Sequence, residues 1–238
     1  MIPEIPSPFD HASCLFDVSG LRVMIAIPCG PTLPWQTVQS LVETVIVLKE
    51  KSIPFEITMV AGSSIVESAR SKVTHQFLKS ECNRLFMIDS DVTWSAQFAV
   101  RLLALSSKLP IVCGAYPAKV DPVTFLMGHN VNANMVMNEY GCLPISGMGL
   151  GFCIVQREVI EKLAERAPKL TFHDEAEKVA HIFRCDQIDG AFRGEDMAFF
   201  SDVRDLGYEV NLDPTITLGH VGVKCYRGSI MDAIKQKV

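Results

Sequence analysis

No apolar run in this sequence approaches the roughly 20 residues that a membrane span needs, so no membrane span is expected. The opening, MIPEIPSPFDHASC, lacks the basic and apolar regions of a secretory signal. Positive charge is also short: 22 Lys and Arg against 27 Asp and Glu leave a net charge of -5. That balance argues against a protein that coats nucleic acid non-specifically. The eight cysteines form no C-x-x-C pair and no Cys/His spacing suited to zinc. Cys29, Cys113 and Cys153 fall within or at the ends of apolar runs, where a reduced thiol packs as a small hydrophobe. A reducing cytoplasm is therefore the expected compartment. Internal repeats, low-complexity tracts and linkers are absent as well.

What remains is a chain with 48% apolar and 21% charged residues, the composition of a soluble globular protein. Its 238 residues fit a single domain over 21–238, preceded by an irregular Pro-rich arm over 1–20. LRVMIAIPC, FEITMVAG, RLFMID and IVCGAY read as four strands. Between them lie helix-period segments beginning at Pro34, after Ser63 or Ser64 as a cap, and at Ser95. Strands separated by helices predict β-α-β units and a mostly parallel central sheet flanked by helices. After residue 116 the order loosens. TFLMGHNV and NMVMNEY suggest short strands, a small antiparallel portion. GFCIVQ with REVIEKLAERA adds a strand and a helix, and EDMAFFSDVRDLG is a helix closed by Gly207.

The stretch LFMIDSDVTW runs four apolar residues into Asp89 and Asp91. In an open α/β sheet, ligands bind beyond the carboxyl ends of strands, and Asp89 sits at such an end. Carboxylates at i and i+2 of an extended chain can point the same way and share one cation or ligand. Mg²⁺ and Mn²⁺ prefer such oxygens and complete their shells with water and phosphates. Read alone, D-x-D is equally a solvated turn. Two later segments tip the balance. Glu195 and Asp196 open a helix, where the macrodipole favours the ionised form. His220 follows in TLGHVG and offers a neutral ring nitrogen to a metal.

Taken in order, the first strand, the D-x-D strand, the Glu-Asp helix and the later histidine resemble the GT-A fold glycosyltransferases that use nucleotide sugars, close to family 2. The resemblance spans about Leu21 to Gly222. It implies that Asp91 and His220 are metal ligands, with Asp89 near the ribose or a metal-bound water. Asp196 is implied as the base of an inverting enzyme, with Glu195 beside it. Arg70, in SARSKV, matches an Ala-Arg-Asn segment near the nucleotide, although Ser71 departs from it. Gly149 and Gly151, in SGMGLGF, let the backbone pass close to donor sugar or acceptor. That Gly-rich run precedes a strand, so it fails as a dinucleotide fingerprint. Lys119 is a candidate phosphate or acceptor contact. Trp94 is a candidate stacking surface, ahead of Trp35. His75, His129, His173 and His181 show no ligand spacing.

The chemistry suits these residue types. A sugar nucleotide leaves as a diphosphate whose charge a cation stabilises, and the acceptor hydroxyl needs a carboxylate to take its proton. The expectation is a Mn²⁺- or Mg²⁺-dependent inverting hexosyltransferase, with UDP-glucose the default donor. Short enzymes resembling this one occur in phages, some glycosylating hydroxymethylated pyrimidines in DNA, which would mean host cytoplasm; others build surface polysaccharide. Lys119, Lys224 and Arg227 could line one face toward DNA, against the acidic net charge. A nucleotidyltransferase is disfavoured because IPCGPTLPW, after the first strand, has no lysine or arginine. A non-catalytic nucleotide-sugar binding module would not need both a metal site and a base. Oligomeric state is not legible.

Overall fold

The computed structural model describes residues 18–128, 136–172 and 175–235. The expected N-terminal arm, apart from residues 18–20, lies outside them, as do His129 and His173. Strand β1 (Val23–Cys29) lies between β2 (Phe55–Ala61) and β3 (Arg84–Ile88), parallel to both. Further along come β4 (Val92–Thr93), β5 (Ile111–Cys113), β6 (Leu143–Ile145), β7 (Phe152–Gln156), β8 (Val210–Leu212), β9 (Leu218–Val221) and β10 (Cys225–Gly228). The central sheet runs β2-β1-β3-β7-β5-β8-β6. β7 is antiparallel to both β3 and β5, and β6 is antiparallel to β8. The other five strands point one way, which makes the sheet mostly parallel.

Because β1 has neighbours on both sides and helices on both faces, nearly all of it is apolar. Its residues alternate between two cores. Met24 and Ala26 face Val73 and Phe77 of α2 (Val66–Lys79), with Ile160 of α4 (Arg157–Arg166) and Phe199 of α5 (Glu195–Asp205). Val23, Ile25 and Ile27 face Leu41 and Leu48 of α1 (Trp35–Glu50) and Leu102 of α3 (Ala96–Leu105). Gly207, φ +86°, ends α5 as expected, since the left-handed region favours glycine.

Two expectations are corrected, and the sheet order adds a detail. The fourth strand runs parallel to the third, as expected, but β7, coming later in sequence, is inserted antiparallel between them. A fully buried strand is apolar throughout whichever way it points, so its pattern carried no direction. Helix α2 is not capped by Ser63 or Ser64. Its N-cap is Ile65, and the Ser63 hydroxyl closes a tight turn by donating to the Ile65 carbonyl at 2.8 Å. Of the two short strands expected after residue 116, both partly outside the described residues, the first forms at Met127–Gly128, paired with Gly147–Met148, while the described part of the second, 136–140, is not a strand.

The antiparallel insertion also brings Cys113 and Cys153 directly opposite each other, Sγ atoms 3.1 Å apart. Burial pushes the Cys113 thiol well up from its ordinary value, so it stays protonated and inert. The seven described cysteines are free thiols.

Candidate active site

The D-x-D segment is held on three sides. The Asp89 amide donates to the Gly151 carbonyl at 3.0 Å, where β7 begins. Val92 donates to the Asp89 carbonyl at 3.1 Å, closing a turn around Asp91. Downstream, α1 presents a hydroxyl face rather than an apolar one. Thr37 donates to the Val92 carbonyl at 3.0 Å, Ser40 accepts the Trp94 amide at 3.0 Å, and Thr44 accepts the Trp94 indole N–H at 2.8 Å. These bonds pin residues 92–94 and thereby fix where the aspartates emerge. β4 then pairs antiparallel with β9, setting His220 opposite Val92.

That pairing delivers His220 to Asp91. The ring Nδ1 faces the Pro117 carbonyl at 2.9 Å and Nε2 faces Asp91 Oδ1 at 3.2 Å. With Nδ1–H given to the Pro117 carbonyl, Nε2 either carries a second proton that it donates to Asp91 or shares a cation with that carboxylate. Such an arrangement suits a shared cation or a protonated ring. Lys119 lies on the other oxygen, 2.5 Å from Oδ2. Burial opposes Asp91 ionisation, but hydrogen bonds from His220 and Lys119 outweigh it and push the pKa down to about 2. Among the described residues no group of three or more His, Cys, Asp and Glu side chains gathers to hold a metal. Asp91 and His220 therefore offer two protein ligands. The rest of a Mg²⁺ or Mn²⁺ shell falls to water and phosphate, the usual division for such ions at diphosphates. The donor set fits.

Asp89 turns the other way. Its Oδ1 takes Arg70 Nη2 at 2.8 Å and its Oδ2 accepts the Tyr116 hydroxyl at 3.2 Å. Arg70, on α2, has a side chain only 4% exposed, and its Nη1 pairs with Asp196 and lies 3.2 Å from Glu195. Burial alone would weaken the guanidinium's charge. The Asp89 and Glu195 carboxylates overcome it and raise its pKa. So Arg70 sits beneath the site as a shared counter-charge, tying the D-x-D strand to the first turn of α5.

Tyr116 is a residue that sequence reading passed over. It donates to Asp89, accepts the Gly151 amide at 3.3 Å, and packs edge-on to His220 with centroids 5.0 Å apart. Burial, then Asp89, raises its pKa well above the ordinary value, so it stays a neutral donor. Its signal was positional: it ends the run IVCGAY, the same carboxyl-end logic that selects Asp89. The glycines have a related duty. A Cβ at Gly149 would overlap the Tyr116 hydroxyl, and one at Gly151 would overlap the Asp89 carboxylate. Both glycines admit these side chains.

Trp94 is a correction. It is 6% exposed, its indole N–H is satisfied by Thr44, and its ring packs on Phe152 with centroids 5.7 Å apart. It is a core residue, whereas Trp35 is 70% exposed. Lys224 pairs with Asp121 at 2.6 Å, so of the three cations expected toward DNA, Lys119 and Lys224 both answer carboxylates of the chain itself. His220, Glu195, Asp196, Tyr116 and Gly149 line one cleft of about 480 Å³, within the range of small-molecule sites.

No protein-family model and no curated protein sequence matches this chain. Solved structures do. A197 from STIV is 19% identical with a TM-score of 0.55, the match covering 85% of this chain and 86% of that one. GalNAc-T7, solved with UDP, GalNAc and Mn²⁺, is 12% identical with a TM-score of 0.53 over 89% of this chain. The chain spans 45% of the GalNAc-T7 length. At these identities the likeness is one of architecture, and it is the GT-A fold: a mostly parallel seven-stranded sheet between helices, with a small antiparallel sheet beside it.

Proposed function

We propose that this protein is a metal-dependent inverting glycosyltransferase that moves a hexose from a nucleotide sugar, UDP-glucose by default, to an acceptor hydroxyl. The observation that carries the reading is a single cleft lined by His220, the partner of Asp91, and by Glu195 and Asp196. The same cleft brings a histidine that could hold a divalent ion together with two carboxylates. The fold neighbour GalNAc-T7 holds UDP, GalNAc and Mn²⁺, which supports the same combination here.

Asp91 and His220 would hold the ion, which supplies positive charge against the departing diphosphate. The remaining work belongs to the chain. Asp196 accepts the acceptor's hydroxyl proton as the oxygen attacks the anomeric carbon, and the bond from that carbon to the β-phosphate oxygen breaks with its electrons on the leaving diphosphate. A single displacement from the opposite face inverts the centre. Arg70 faces both Asp196 and Glu195 and holds the two carboxylates in place. Tyr116 keeps Asp89 oriented.

The test is hydrolysis or transfer of UDP-glucose with added Mn²⁺. Chelation should abolish turnover and Mn²⁺ or Mg²⁺ should restore it, with Asp91→Asn weakening the metal-dependent part of donor binding. Full turnover after exhaustive chelation overturns the proposal.

A further inference from the structure

We propose that the acceptor carries its hydroxyl on an apolar group, and that the wall formed by Leu126, Met127, Met148 and Met197 binds that group. This inference rests on the transferase reading and narrows its acceptor. All four side chains line the cleft that also holds Glu195, Asp196 and His220. Among the described residues, no lysine or arginine lines it.

Charge excludes a polyanion first. An acceptor such as DNA draws its affinity from neutralised phosphates. Here the charged side chains of the lining are two carboxylates, and the nearby Lys119 and Lys224 are paired with Asp91 and Asp121. A free polar sugar fares little better, because the lining offers it few hydrogen-bonding side chains beyond those the chemistry uses.

The apolar wall fits the opposite kind of ligand. Met148 is 3% exposed and forms the floor, while Leu126 next to Met127 is 77% exposed. Gly147–Met148 pairs with Met127–Gly128, so a short ladder holds floor and rim together. Packing behind them is firm: a Cβ at Gly147 would press on Phe200 and Met197 at 3.0–3.2 Å. Methionines fill irregular gaps and adapt to varied apolar partners. Three of them meeting an exposed leucine beside two carboxylates describe a site for an amphiphile: hydroxyl to the base, carbon to the wall.

The experiment compares methyl β-glucoside with octyl β-glucoside, kept below its micelle concentration, by titration calorimetry on the full chain with UDP and Mn²⁺ present. Each methylene that enters the wall should tighten binding about fourfold, so the octyl compound should bind at least about tenfold tighter. Leu126→Ser, at an exposed position, should cut that ratio toward one without risk to folding, and Met148→Gln, checked for folding because Met148 is buried, should also lower it. Equal affinity for the two glucosides overturns the inference. So does a ratio that neither variant changes, or tighter binding of an oligonucleotide carrying hydroxymethylcytosine. UDP-glucose hydrolysis, assayed in parallel, separates the two readings. Hydrolysis without an octyl preference removes the apolar acceptor alone, and an octyl preference without hydrolysis removes the transferase alone.

Discussion

Asp196 and Glu195 share one guanidinium, yet only one of them is expected to act as base. Asp196→Asn should leave UDP-sugar and Mn²⁺ affinity nearly unchanged while slowing transfer by roughly 10²–10⁴; Glu195→Gln as the severe variant would reverse the roles. Arg70→Ala removes the counter-charge from Asp89, Glu195 and Asp196 together. It should lower stability by roughly 3 kcal/mol, the low end for a buried pair because the carboxylates retain some solvent. Urea unfolding measures this, and a loss near zero would mean that the three acids do not depend on Arg70. Asp91 gives a pH signature. Its folded pKa of about 2 lies below the ordinary 3.8, so its contribution is present above about pH 4 and is lost as pH falls toward 2. Asp91→Asn should flatten the stability profile over that window. Asp89 and Asp91 stand out in the sequence because two charges follow an apolar run, whereas Glu195, Asp196 and His220 are picked out by a helix start, a Gly-flanked stretch and their order along the chain. The sequence concealed Tyr116, whose ring looks like core, and the triple role of Arg70, whose partners lie 19 to 126 residues away. Trp94 was misread because a tryptophan after a D-x-D suits a stacking site and a core equally.

Elements carry the site by pinning rather than by apolar contact alone. The buried face of α1 is rich in hydroxyls, Thr37, Ser40 and Thr44, which in sequence look like an exposed face. Periodicity located the helix and missed what it holds. A second pin joins α3 to β8. Asp213, fully buried just past β8, accepts from Arg101 Nε at 2.5 Å and from the Thr215 amide at 3.0 Å. Asp213→Ala strands the arginine and should cost roughly 3–5 kcal/mol, read as a lower urea midpoint with an unchanged slope. A midpoint equal to wild type would show the pair to be dispensable. Gly149→Ala should act differently. It drives a methyl into Tyr116, so the loss should fall on donor turnover more than on the unfolding midpoint.

For the molecule as a whole, strand and helix content is legible from residue 21 to 116, because buried strands and amphipathic helices differ in period. Sheet order is not, since order depends on pairings that local pattern does not encode. The absence of cysteine spacing still gives a global prediction. With seven free thiols described and the Cys113 thiol held protonated, a reductant should leave the melting temperature unchanged in scanning calorimetry. A marked fall would mean that a disulfide supports the fold.

The late insertion of β7 sets an order of events at the ribosome. Residues up to 113 can lay down β2, β1 and β3, yet the next position in the sheet belongs to residues 152–156. Until these emerge, β3 is a bare apolar edge, the kind that recruits a strand from another chain. The Asp89 amide likewise waits for the Gly151 carbonyl. A nascent chain halted near residue 140 would carry both aspartates of the D-x-D without the Gly151 carbonyl that holds Asp89 and without the His220 that meets Asp91, and it should be sticky where the finished protein is sealed.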